Sequence, residues 1–355
     1  MSKISVFLLL IGSVLLIALI YSITQAPLQS RLLTNHQLLT THVEGKQFPK
    51  TLIDPIGQSH QLLTPPLKIV STVLAVDEIL SELIPVNRLT GVTFLVDEPG
   101  ISNVVGHYPK TIRRVHAEVE TLLSLQPDLV IVANYTDATT VRLLLAAHIP
   151  VLRLSSHNSF EGIQQNILLL GEVLGTPIKA QQLVNQLQDQ LTRIKTRTQN
   201  APSPRIVYYG PNGASTGSDT LMDASIALIG AQNVLNEVNI QGHTNVSAEL
   251  VIGLQPDVII VSASFGEDPQ HWKIQLINDP KWRDVPAIKN NRVYSVPGAW
   301  LTSVSQYRIT GVEQLAALVH PTLFSVNAAI NNAINNEAHS LTNPALQETS
   351  LVEDR

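Results

Sequence analysis

The chain has 355 residues, 44% of them apolar and 14% charged, with a formal net charge of −5 and no cysteine. That length admits two ordinary domains with real cores, and the acidic balance excludes the basic face that nucleic-acid binding needs. Without cysteine there is no disulfide framework, thiolate nucleophile, cysteine zinc site or lipid-bearing cysteine.

Residues 4–21, ISVFLLLIGSVLLIALIY, carry no charge. Their length lies between a signal-peptide core and a short membrane span. Cleavage after Ala26 would leave the unfavourable Pro27 first. Residues 1–26 are therefore expected to be a signal peptide or, by preference, an uncleaved anchor. Lys3 on the short side puts the N-terminus in the cytoplasm and the bulk outside. The expected location is periplasmic or otherwise extracytoplasmic.

Residues 27–50 are polar and aperiodic and read as a tether. TLIDPIGQSHQLLT (51–64) reads as a hairpin turning at Asp54-Pro55-Ile56-Gly57 and ended by Pro65-Pro66. From Leu67, strand and helix alternate. LKIVS (67–71), LTGVT (89–93), LVIVA (129–133) and PVLRLS (150–155) are strands. VDEILSELI (76–84), a helix ending near Leu125 and VRLLLAAH (141–148) separate them, and Asp77 and Glu78 suit a first helical turn. The pattern predicts βαβ units on a mainly parallel sheet, with LVIV buried on both faces.

Residues 160–199 then read as helix throughout, with a kink at Gly175-Thr176-Pro177 and an apolar stripe of Leu183, Leu187, Leu191 and Ile194. This is the expected bridge between two lobes. Alternation resumes with strand RIVYYG (205–210), helix DTLMDASIALIG, strand VIIVS (258–262), helical KIQLIN, strand RVYSV (292–296) and helix 304–320. The tail from Ser325 has little to bury. The expected organisation is a 51–159 N-terminal lobe, a 160–200 bridge, a 201–324 C-terminal lobe and a disordered 325–355 tail.

One phrase occurs twice. VETLLSLQPDLVIV (119–132) and AELVIGLQPDVIIV (248–261) are identical at seven of fourteen positions. Proline stops a helix and aspartate opens the next strand, so a repeated helix–strand corner accounts for most of the match. It does not account for Glu120 and Glu249 at the same register, where dipole preference and a surface role are both open.

Taken in order, TLIDPIGQSHQLLTPPLKIVS, VDEIL, LTGVT, VGHYPK, ETLLSLQPDLVI, the bridging helix, STGSDTLMDASIALIGAQNV, AELVIGLQPDVIIV and AIKNNRVYSVPGAW resemble the class III periplasmic binding proteins. These are the substrate-binding subunits of ABC importers for iron–siderophores, haem and cobalamin. The resemblance spans roughly residues 50–324. The family's usual basic residue before I-V-S is here Lys68, and the resemblance departs at Val73, Leu74 and Ala75, where the family has small and proline residues. It implies two Rossmann-like α/β lobes bridged by one long helix, with an N-terminal hydrophobic helix. It also implies no catalytic residues, no resident cofactor, permease subunits as partners, and a monomer. Glu120 and Glu249 would dock to arginines of the permease, where rim carboxylates favour encounter and register over raw affinity.

Ligands of such folds sit near the C-terminal ends of strands. The loops there supply Thr72, Val73, Thr93, Phe94, His107, Tyr108, Asn134 and Tyr135 in lobe one. Lobe two supplies Tyr209, Gly210, Ser215, Thr216, Gly217, Phe265 and Trp300. Such aromatics suit a bulky planar or catecholate ligand: an iron chelate, haem or a corrinoid. Tyr108 and Tyr209 are candidate ferric ligands, and His107 or His243 candidate haem ligands. Arg113 and Arg114 read as a solvated pair or an attractor of anions.

Three other readings stay in view. GASTGSD (213–219) has the glycines of a phosphate cradle but neither the P-loop lysine nor a nucleophile elbow. His107, His157 and His243 are the histidines a bare Zn²⁺ or Mn²⁺ site would recruit. The third reading is a membrane-anchored scaffold without a small-molecule ligand.

Overall fold

The computed structural model describes residues 38–39, 41–155, 158–262 and 269–324. The hydrophobic stretch 4–21, His157, Phe265 and the tail from Ser325 lie outside the described residues.

The chain is an α/β protein with two separate parallel sheets. It opens with an antiparallel sheet of β1 (His42–Glu44), β2 (Lys50–Ile53) and β3 (Ser59–Leu62), the last two forming the expected hairpin. β1 corrects the reading of 27–50 as tether throughout. The segment before it is also engaged: Thr41 is 1% exposed, and its Oγ1 accepts from the Arg153 N–H at 2.9 Å. A three-residue strand is too short to show a period in sequence.

Lobe one is the five-stranded sheet β6-β5-β4-β7-β8, all parallel. Its strands are β4 (Ile69–Ser71), β5 (Leu89–Thr93), β6 (Arg113–Val115), β7 (Leu129–Ala133) and β8 (Val151–Leu154). Helices α1 (Leu74–Leu83), α2 (Val119–Ser124) and α3 (Ala138–Ala146) connect them. Lobe two holds the parallel sheet β11-β9-β13-β14 and an antiparallel ribbon β10-β12. In chain order these are β9 (Arg205–Tyr208), β10 (Ala214–Thr216), β11 (Gln232–Asn233), β12 (His243–Asn245), β13 (Val258–Val261) and β14 (Val293–Ser295). In each parallel sheet the chain runs outward from its first strand, then returns to that strand's other side. β4 and β9 are therefore equivalent topological switch points, where α/β sheets open a crevice.

Between the lobes, the 160–200 stretch is two helices: α4 (Phe160–Leu174) and α5 (Pro177–Thr198). Gly175 ends α4 at φ 73°, and a Cβ there would meet Pro65 Cγ at 2.7 Å. Pro177 then starts α5, the position where a missing N–H is least costly. The two pack antiparallel, with Gln164 Nε2 donating to Gln188 Oε1 at 3.0 Å. So the expected continuous bridge is a helical hairpin, and only the 22-residue α5, about 33 Å long at 1.5 Å per residue, reaches from lobe to lobe. Its buried stripe runs Ala180, Val184, Leu187, Leu191, Ile194. It packs on α1 of lobe one and on α6 (Leu221–Leu228) and α11 (Arg308–Val319) of lobe two.

Side-chain alternation along the strands divides the core three ways. Ile69, Leu129, Ile131, Ile206, Val258 and Ile260 face one central core shared by both lobes. Val70, Val130 and Val132 face an outer core of lobe one, and Val207, Ile259 and Val261 an outer core of lobe two. Both faces of each parallel sheet are covered, which is why these strands read as unbroken apolar runs.

Candidate ligand cleft

The repeated phrase builds one corner twice. α2 and α7 (Ala248–Leu254) end in residues of left-handed backbone, Gln126 at φ 48° and Gln255 at φ 49°. Proline follows, then an aspartate at the start of β7 or β13. Each helix runs back along its strand, so its first turn stands level with the strand's C-terminal end. Glu120 and Glu249 occupy those first turns and are exposed. The Glu249 carboxyl is held below its ordinary range by its own backbone N–H and the Ser247 hydroxyl. Its charge is felt by Tyr209, which directly follows β9. The acid is thus on the strand-end side, as the corner requires.

At the lobe-one switch point, Thr72 donates its N–H to Ile131 O at 3.1 Å, and Val73 caps α1; both are half-buried. Beside them, half-buried Asn134 and exposed Tyr135 follow β7. Tyr135 is 74% exposed, so its ring stands largely in solvent. Phe94, half-buried, stacks on His116 with centroids 4.0 Å apart. Trp300 is half-buried in α10 (Gly298–Thr302), and His107 and His243 are exposed.

Four expected cleft side chains are committed to packing instead. Tyr108 is 3% exposed and donates its hydroxyl to Asp77 O at 2.5 Å. Burial pushes its phenol far above the ordinary range, so it is no ferric ligand here. Tyr209 is 6% exposed and packs between Trp282 and Trp272, at 5.1 and 6.3 Å between centroids. It too is removed from the candidate iron ligands. Ser215 donates to Tyr208 O, and Thr216 is buried in β10. Sequence could not separate these from true rim residues because loop position alone does not say which way a side chain turns.

Arg114 is also not a free solvated cation. It makes two bonds to Asp97, at 2.8 and 2.9 Å, and donates to the carbonyls of Tyr108, Pro109 and Ile112. Arg113 is exposed. The glycines of GASTGSD have a packing reason: a Cβ on Gly217 would meet Ile240 O at 1.9 Å. Among the described residues no three His, Asp or Glu side chains converge as a metal site.

A cavity of about 520 Å³ lies away from these loops, among Arg197, Pro204, Asp257, Arg292 and His320. It is a half-open hollow at the N-terminal ends of β9 and β13, the wrong end of the sheet for this fold's ligands.

Sequence reasoning missed the residues that join the lobes beneath the cleft. Asp77 and Glu78 are both 0% exposed, not dipole-facing surface acids. Glu78 Oε1 accepts from the N–H and Nδ2 of Asn103 at 3.0 and 2.8 Å. Its Oε2 accepts from the hydroxyls of Ser303 and Ser305 at 2.7 and 2.6 Å. Asp77 Oδ2 accepts from Thr93 N–H at 2.9 Å, while its Oδ1 has no hydrogen-bond partner. Burial raises the Asp77 carboxyl well above the ordinary aspartate value, against a weaker pull from Ser71 and Thr93. A faint signal existed: both acids sit inside VDEIL, a helix whose flanking positions are all apolar.

A family model described as periplasmic binding protein matches residues 69–299. The ABC transporter substrate-binding lipoprotein YvrC of Bacillus subtilis is 29% identical over 292 residues, covering 78% of this chain and 87% of that protein. A cobalamin-binding protein of Halobacterium salinarum is 28% identical over 149 residues, covering 41% of this chain and 40% of its own length. Among solved structures, the periplasmic heme-binding protein RhuT from Roseiflexus sp. RS-1 in apo form superposes with a TM-score of 0.62 at 22% identity. That match covers 72% of this chain and all but a small part, 98% covered, of the other.

Proposed function

The chain belongs to the class III periplasmic binding proteins, and from that premise we propose that it captures a bulky metal chelate between its lobes and delivers it to an ABC permease outside the cytoplasm. The ligand class is an iron chelate, haem or a corrinoid. The part-length likeness to a cobalamin-binding protein supports placing the corrinoid first. What supports the reading is the pair of exposed glutamates, Glu120 and Glu249, each in the first turn of the helix at its lobe's copy of the repeated corner. Such a pair suits a two-fold partner that must register both lobes at once. The protein performs no chemistry on the ligand in this reading. Because the chain holds no cysteine to carry a lipid, residues 4–21 are the proposed membrane attachment.

Trp272 and Trp282 lie around Tyr209 and Trp300 stands in α10, all in lobe two, so tryptophan emission reports on that lobe. Titration with cyanocobalamin, haemin and a ferric catecholate siderophore is expected to give saturable quenching with one of them, smaller in amplitude in Trp300→Phe. Silence with all three overturns the reading. Submicromolar binding of free Zn²⁺ by calorimetry would favour a bare-ion carrier instead.

A further inference from the structure

We infer that Glu78 is the positioning residue of the cleft: its buried carboxylate fixes where α10 of lobe two stands relative to lobe one, and so sets the gap between them. Glu78 belongs to lobe one, on α1, one and a half turns below Val73 at the switch point. Its carboxylate takes two donors from its own lobe, both on Asn103, and two from lobe two, the Ser303 and Ser305 hydroxyls. Ser303 and Ser305 are themselves 4% and 0% exposed and stand 2.8 Å apart. Its backbone oxygen takes a third donor from lobe two, Gln306 Nε2, at 2.6 Å.

These bonds converge on the segment that carries Trp300. Asn103 Nδ2 also reaches Ala299 O at 3.2 Å, and Ala299 N–H donates to Gly100 O at 2.9 Å. From the other side, the fully buried Arg308 donates to Leu301 O and, at 3.0 and 2.8 Å, to Ser225 Oγ on α6. α10 is therefore clamped between Glu78 and Asn103 of lobe one and Arg308 of lobe two. A carboxylate is acceptor-only, so four donors from two lobes satisfy it only while the lobes hold this relative position. The shared core fixes the lobes along α5; the Glu78 cluster fixes them at the cleft end, where apolar contact gives way to polar loops.

Buried polar clusters give orientation that apolar contact lacks, because each bond has a direction as well as a strength. Removing the two serine hydroxyls takes away both lobe-two donors to the carboxylate, loosening the cross-lobe lock, while the Glu78–Asn103 pair and the Ala299 bonds to Asn103 and Gly100 stay in place. Only the consequence for ligand capture rests on the transport reading; the measurement itself uses no ligand, so the two fail separately.

The test is a spin-label distance between Ala117→Cys and Gln241→Cys, exposed positions on the two rims, in a chain with no native cysteine. The expected result is one narrow distance distribution for the parent. Ser303→Ala with Ser305→Ala should broaden it roughly twofold, as lobes without a directional lock drift relative to each other. An unchanged width with a lowered melting temperature would overturn the inference, since the cluster would then be stabilising without positioning. Should the double variant not fold, Ser305→Ala alone keeps one hydroxyl on the carboxylate. It should broaden the distribution by less, and an unchanged width there would equally overturn the inference.

Discussion

Asp128 and Asp257 make the same clamp in the two lobes. Asp128 accepts from the N–H groups of Leu67 and Lys68 at 2.8 and 3.0 Å, and gives its own N–H to Lys68 O. Asp257 accepts from Arg205 N–H at 2.9 Å and gives its own N–H to Arg205 O at 2.8 Å. In both, the aspartate pins the start of the switch-point strand to the strand beside it, β7 to β4 and β13 to β9. Replacing either with alanine keeps the backbone bond and removes the side-chain ones. Each change should cost about 1 kcal/mol, the net worth of partly exposed hydrogen bonds. The two losses should add, because the sites are far apart and share no partner. Urea unfolding of the single and double variants decides it. A double variant much less stable than the sum would contradict two independent corners.

That clamp also marks what sequence could and could not reveal. The LQPD corner was legible because its features are local: a proline that ends a helix, an aspartate that bonds adjacent backbone, a β-branched run. The parallel sheets and a kink at Gly175 were legible for the same reason, though the chain reversal there was not. β6, β10 and β12 were not: Arg113–Val115, Ala214–Thr216 and His243–Asn245 are as short as β4 and β14 but lack the apolar run that marks those two. Nor was the Glu78 cluster, whose lobe-two partners lie more than two hundred positions away in the chain. Tyr108 and Tyr209 show the remaining gap. Their loops lie at strand ends as expected, but their rings turn inward, and only three-dimensional packing decides that.

Glu120 and Glu249 face solvent at equivalent positions, and neither carboxylate has a buried role to lose. Charge reversal of both to lysine should leave chelate affinity within experimental error and reduce transporter-dependent uptake by roughly tenfold or more, since complementary rim charges mainly govern encounter and orientation. Each single reversal should fall between. Raising the salt concentration should blunt the parent's advantage, as exposed charges are screened. Paired binding and uptake assays read both effects. A loss of chelate affinity in the double variant would overturn the proposed docking role and assign these residues to the cleft.

Asp77 gives the fold a pH dependence whose sign follows from its burial. Desolvation raises its carboxyl well above the ordinary aspartate value, and the adjacent Glu78 adds to this while Arg114 opposes it. The groups facing it include Ser71, Thr93 through its N–H and, more distantly, Tyr108, whose phenol also feels the Asp77 charge. Above the ordinary aspartate value the folded chain keeps a proton that the unfolded chain has released. Unfolding then releases a proton, so this group's contribution to stability falls as pH rises, until the folded carboxyl itself ionises. Asp77→Asn has no such proton, and its amide oxygen can still accept from Thr93 N–H. The variant should match the parent near pH 4 and become progressively more stable than it toward neutrality. The gap should widen by up to about 1.4 kcal/mol for each pH unit within the window. Melting curves from about pH 4 to pH 8, spanning the unperturbed carboxyl value and neutrality, measure this difference. A constant offset at every pH would mean that Asp77 is ionised in the folded chain, and its unpartnered Oδ1 would then need a donor not seen among the described residues.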